Sequence, residues 1–266
     1  MKGISKWRLG AVGMVLCLGI SGGLGAEEKK EAPKPYAVGV TTFTNKYVFR
    51  GYESSKDSLV IQPALTLGYL GVEVGLWGNL DLKDRYTGSD KANWNETDLT
   101  LSYTNEWGPV KVSGGGVYYA LDGAEDSLEL FVRASGNVLL SPTISVYREI
   151  LNYPGWYINL GVSHSFPLTQ TLTLDLAASV GYQISDTDKI VKYDGALNPT
   201  TERYRALHDG LISVGLTIPL GKIFALKPMV GYSLALSTDA KNRIKGTSLS
   251  NAENFFLAGV SLTANF

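Results

Sequence analysis

Two histidines invite a catalytic reading of this chain. His164 stands between Ser163 and Ser165, and His208 is followed directly by Asp209. A Ser–His pair activates a hydroxyl nucleophile, and a His–carboxylate pair holds an imidazole ready to take a proton. Both arrangements require the paired side chains to meet. Neighbours along a β-strand point to opposite faces, so neither pair forms a dyad locally. Asp186 or Asp188 remains as a carboxylate to reach His208 across an outer rim. Metal chemistry lacks its ligands, because the histidines are far apart and Cys17 is the only cysteine. The stretch "SGGGVYY" is no phosphate loop, since no helix follows it; Gly114 to Gly116 mark a strand bend or the seat of a bulky neighbour. The expectation is no catalytic residue, no metal and no cofactor.

A second set of residues points elsewhere. Arg50, Trp77, Asp98, Glu129, Arg133, Tyr147, Glu149 and Asp175 fall on the polar side of alternating segments. Lys46, Glu73, Asp81, Glu96, Glu106, Lys111 and Tyr157 share that side. Such groups facing one lumen either neutralise each other as ion pairs in the wall or form a constriction that selects solutes. Eight carboxylates stand against four cationic groups in this set, which favours a weak cation preference. Strand direction places Trp77, Arg133, Tyr147, Glu149 and Asp175 near mid-depth. It places Asp81, Asp98 and Glu129 toward the outside.

The elements that must carry these residues are strands. In "TLTLDLAASVGYQ", Leu172, Leu174, Leu176, Ala178, Val180 and Tyr182 share one face and Thr173, Asp175, Ser179 and Gln183 the other. Twelve such segments are expected, at about 36–52, 58–69, 71–83, 95–107, 110–121, 127–138, 142–153, 155–166, 171–184, 207–218, 223–237 and 252–266. Their length suits a tilted strand that crosses a bilayer in about 9–11 residues. Connections after even strands are short, whereas most after odd strands are long and polar, as in "DTDKIVKYDGALNPTTERYRA" and "DAKNRIKGTSLS". That asymmetry is the pattern of an outer-membrane barrel, with turns inside and loops outside. In lipid only a closed barrel pairs every backbone group of a sheet. The expected fold is therefore all-β, a single antiparallel up-and-down transmembrane barrel of about twelve strands over 36–266. A soluble β-sandwich also alternates, but it leaves strand length and loop asymmetry unexplained.

Two polar residues fall on the lipid side of this scheme. Arg148 needs a bulge near Tyr147 or a path to the outer rim, and Asn45 stands likewise in the first strand.

The opening 26 residues read as a cleaved secretory signal. Lys2, Lys6 and Arg8 precede a short apolar core, and the stretch ends on Ala26. Residues 27–35 read as a charged linker. A membrane-anchoring helix is disfavoured by the short, Gly-rich core, and a lipoprotein by the bulky Leu16 before Cys17. A formal net charge of -1 gives no footprint for nucleic acid.

The closing strand, alternating down to Phe266, resembles the C-terminal signal read by the barrel-assembly machinery of Gram-negative outer membranes. Separately, "TNKYVFRGYESS", with Tyr47, Phe49, Arg50 and Gly51, resembles the first-strand pattern of the TorF porin family, also known as the Gcw_chp conserved hypothetical family. Gly75 and Trp77, Glu96 and Asp98, Tyr118 and Tyr119, and Glu129 fit the same pattern, which covers about the first 135 residues. The resemblance implies a porin-like channel of the bacterial outer membrane, for passive diffusion of small solutes or ions of unknown identity. Outer-membrane lipid, lipopolysaccharide, periplasmic chaperones and the assembly machinery are its expected partners. A closed barrel with a structural or adhesive role is the alternative, and an outer-membrane hydrolase a more distant one.

Overall fold

The computed structural model of the chain describes residues 34–56, 58–84 and 90–266. The stretch read as a secretory signal and most of that read as a linker lie outside the described residues. Twelve strands close into one antiparallel barrel. The first, β1 (Tyr36–Thr44), is followed by two inward-folded pieces, β2 (Val48–Phe49) and β3 (Tyr52–Glu53). The wall continues through β4 (Val60–Tyr69), β5 (Val72–Asp81), β6 (Asn93–Trp107), β7 (Val110–Leu121) and β8 (Ser127–Gly136). Then follow β9 (Thr143–Glu149), β10 (Gly155–Thr169) and β11 (Leu172–Ser185). A small hairpin, β12 (Val191–Tyr193) and β13 (Pro199–Arg203), rises from the next loop. The wall finishes with β14 (Arg205–Leu220), β15 (Phe224–Ala235) and, after the helix α1 (Thr238–Thr247), β16 (Phe255–Asn265).

The seam joins β1 to β16, with Phe43 opposite Val260 and Val38 opposite Asn265. Phe266 extends it, exchanging backbone hydrogen bonds with Ala37 at 2.9 and 3.1 Å. All backbone edges of the wall are thereby paired, which is what lipid demands of a sheet.

Alternation decides what faces out. Leu65, Leu67, Val72, Val74, Leu76, Leu99, Leu101, Leu130, Val132, Leu160, Val162 and Ile212 are exposed on the outer surface. An apolar belt of this extent is untenable in water and natural in lipid. No helix among the described residues is long and apolar enough to cross a membrane. The inner face is polar. Arg148 escapes the belt by reaching Asp186 in the loop beyond β11, with its guanidinium 4.9 Å from the Trp156 ring centre. Asn45 extends the β1–β16 ladder with its own amide, accepting from Ala258 N at 2.8 Å and donating to Phe256 O at 3.3 Å.

Three loop-end expectations need correction. The first strand ends at Thr44, eight residues earlier than the alternation implied, and residues 45–56 turn into the barrel. The long polar connection "DAKNRIKGTSLS", after the eleventh expected strand, carries the helix α1, started by the Ser237 hydroxyl, which accepts from Ala240 N at 3.1 Å. The strand placed at 142–153 stops at Glu149, because the Glu149 carboxylate captures the backbone N–H groups of Leu151, Asn152 and Tyr153.

Candidate functional site: a latched hairpin inside the barrel

The two ends of the lumen differ in kind. At the end where the short turns lie, small hydroxyl side chains line the inner face: Thr66, Ser102, Ser113, Ser145, Ser163, Ser213 and Ser261 stand on inward positions. Toward the loop end the bulk rises. Tyr47, Phe49, Trp77, Val117, Tyr119 and Tyr157 are all buried there.

Much of that bulk comes from the segment that leaves the wall after Thr44. β2 and β3 pair as Val48–Glu53 and Phe49–Tyr52, leaving Arg50 and Gly51 as a two-residue turn. Both have positive φ, 45° and 78°. A turn of this kind prefers Asn-Gly, so an arginine at its first central position is a local cost of roughly 1–2 kcal/mol. Gly51 admits no side chain: a Cβ there would lie 2.9 Å from Asp209 Cβ and 3.1 Å from Ile244 Cδ1.

What Arg50 gains is a cage. Its Nη1 and Nη2 each donate to one oxygen of Glu129 at 2.7 Å, a bidentate pair. The guanidinium carbon lies 4.2 Å from the Tyr157 ring centre and 4.6 Å from those of Tyr147 and Phe49. Tyr119 OH adds a 2.8 Å hydrogen bond to the same carboxylate. Burial works against the charge on Arg50, and the charge and hydrogen bonds of Glu129 outweigh it, holding the guanidinium pKa above its ordinary value.

The hairpin is fixed at its other positions too. Tyr47 OH reaches Glu96 at 3.1 Å, and its ring packs 5.6 Å from Trp77. Lys46 pairs with Glu53, which also accepts from Ser250 N at 2.8 Å. Tyr52 OH donates to Gln183 at 2.9 Å and accepts from Arg243 Nε of α1 at 2.9 Å. Ile244 and Ala240 of α1, both fully buried, pack with Tyr52, Ala235 and Phe255. The helix lies over the hairpin as a lid, and Arg243 also ties it to Val191 O at 2.6 Å.

The eight residues expected to form a constriction divide into three groups. Arg50, Glu129 and Tyr147 meet in the cage, and Trp77 backs the hairpin through Tyr47. Asp98 lies beside them, facing Tyr119 across the β6–β7 pair, with Oδ1 lacking a hydrogen-bond partner among the described residues. Arg133 stands lower, donating to Ser145 Oγ at 3.1 Å and Tyr147 OH at 2.8 Å. Two were placed at the wrong depth. Glu149 is at the loop end, where it organises the turn into β10. Asp175 is near the turn end, bound by Ser165 and Thr217 at 2.6 Å and by Lys227 at 2.8 Å.

The expectation that His208 and Asp209 face apart also fails. The β11–β14 register shifts between Gly181 and Tyr182, so β14 carries a bulge and both side chains turn inward. His208 is fully buried, with Nδ1 2.6 Å from Tyr204 OH and its ring 4.7 Å from that of Tyr52. Asp209 accepts from Tyr157 OH at 3.0 Å. Asp186 and Asp188 bind Arg148 and Arg203 instead of His208. Sequence reasoning gave no role inside the lumen to Tyr119, Asp209 or Arg243. The signal for the bulge was "HDG", a polar pair closed by glycine where alternation breaks. Among the described residues no group of three or more His, Cys, Asp or Glu is placed to hold a metal ion.

An outer membrane channel from Pseudomonas putida F1 superposes with a TM-score of 0.50 at 10% identity, over 92% of this chain and 100% of that one. The two chains share a closed β-barrel fold. The NanC porin gives a TM-score of 0.49 at 8% identity, over 86% of this chain and 98% of that one. Identities this low speak for a shared fold alone. No family model matches the chain, and no curated protein does. The TorF resemblance therefore rests on the motif residues themselves.

Proposed function

We propose that the protein is a porin-like channel of the bacterial outer membrane, passing small solutes or ions by diffusion, with the hairpin as its constriction. The loops would face outward and the short turns the periplasm. The observation that carries this reading is the asymmetric lumen. Toward the short turns the inner face carries hydroxyl side chains together with the Arg133–Tyr147 and Asp175–Lys227 contacts, and toward the loops it meets the hydrogen-bonded hairpin. Around the hairpin the six carboxyl groups of Glu53, Glu96, Asp98, Glu129, Glu149 and Asp209 outnumber Lys46, Arg50 and Arg243, which favours cations over anions. Transport of this kind needs no cofactor or chemical step. His208, with a tyrosine instead of a carboxylate on Nδ1 and no exposure to solvent, is read as part of the packing around the hairpin.

Liposome swelling with refolded protein and a panel of sugars, amino acids and salts tests the proposal. Swelling by small solutes, cations ahead of anions, is expected. A sealed barrel with a structural or adhesive role is the second reading, favoured by the occupied loop end of the lumen. Absence of swelling and of conductance, in both the native protein and a variant lacking residues 46–54, would select it.

A further inference from the structure

The cage around Arg50 has the composition of a receptor for a flat organic cation. A carboxylate receives two parallel N–H groups from Arg50, three aromatic rings surround the delocalised charge, and a tyrosine hydroxyl steadies the carboxylate. Only Phe49 of these belongs to the hairpin. Glu129, Tyr119, Tyr147 and Tyr157 come from four different strands of the wall, so the receptor remains when the hairpin moves. A cavity of about 60 Å³ at the loop end is bordered by Arg50, Glu129, Tyr119 and Tyr157, together with Glu149 and Gln183.

The backbone supplies an independent pointer. Arg50 occupies a left-handed turn position that Asn or Gly fills at less cost, so its presence there is explained by the side chain alone. The arginine is presented on a fingertip, as a solute would present its own guanidinium.

We propose that Arg50 is a built-in stand-in for the channel's ligand, and that the wall site of Glu129, Tyr119, Tyr147 and Tyr157 binds small solutes bearing a guanidinium group. An arriving guanidinium competes with Arg50 for Glu129, frees the hairpin tip and opens the passage. Lysine-like ammonium solutes fit less well, since a compact ammonium makes no bidentate pair with a carboxylate and stacks poorly on the rings. The opening step rests on the channel reading above; the binding step does not.

Binding is therefore measured separately from flow. Arg50→Ala empties the cage, and isothermal titration of this variant in detergent micelles with methylguanidinium is expected to show binding about tenfold tighter than with methylammonium. Glu129→Gln introduced into Arg50→Ala should abolish that preference. Heat-modifiable gel migration confirms that each variant is folded. Agmatine should also enter liposomes containing the native protein several-fold faster than cadaverine, which carries ammonium at both ends. Equal or no binding of methylguanidinium and methylammonium by folded Arg50→Ala would overturn the proposal and leave Arg50 a structural latch. A guanidinium preference in titration without any solute entry would retain the binding site and refute the channel.

Discussion

At the scale of single residues, the interior is organised by aromatic rings and carboxylates that share partners. Tyr157 touches Arg50 with its face and Asp209 with its hydroxyl, so one side chain joins the hairpin latch to the β14 bulge. That junction depends on Gly181, where a Cβ would lie 2.3 Å from both Asp209 Oδ1 and Tyr157 OH. Gly181→Ala is expected to break the hydrogen bond and to destabilise the barrel by about 1–3 kcal/mol through overpacking; urea unfolding in lipid vesicles measures it. An undiminished midpoint would show that the junction yields without loss. These relations were only partly legible in the sequence. Alternation assigns a face to Glu129, Tyr147 or Trp77 because each sits in an unbroken strand. It fails at Asp209, where one inserted residue reverses the parity, and it gives no depth for Glu149, whose role depends on where the strand stops.

At the scale of elements, the wall followed from period-two patterning and the interior did not. Tyr47 and Phe49 continue the alternation of β1 so well that the chain reads as one long strand to Tyr52. The departure at Thr44 is driven by burial on all sides, which a pattern of one apolar and one polar face cannot express. Asn45-Lys46 and Arg50-Gly51 were the local signs of turning. The helix was similarly masked, because α1 is short and polar, and its Ser237 cap and Ile244 contact matter only once the hairpin is beneath it. Ile244 is fully buried, so Ile244→Ala is expected to cost about 2–5 kcal/mol locally. Hydrogen exchange should then quicken at β2, β3 and α1 while the wall strands keep their protection. Uniform loss of protection throughout the barrel would contradict the assignment of hairpin and helix as a separable unit.

At the scale of the whole molecule, the chain solves one problem on each surface. Its outer face is apolar, its backbone edges are closed at the β1–β16 seam, and its charge is held inside. Leu101→Arg, on the exposed apolar face of β6, should cost roughly 2–4 kcal/mol near mid-membrane. The same charge at Ser102, one residue on and facing the lumen, should cost far less in a vesicle-folding assay. Equal penalties would deny that the belt faces lipid.

The central claim is that the hairpin, latched by Arg50 on Glu129, sets the width of a channel. Single-channel recording in planar lipid bilayers tests it most directly, comparing the native protein, Arg50→Ala and a barrel lacking residues 46–54. The account predicts small, cation-preferring currents for the native protein, longer or larger openings for Arg50→Ala, and a steady, several-fold larger conductance once the hairpin is gone. Identical currents in all three, or none in a folded barrel without the hairpin, would contradict it.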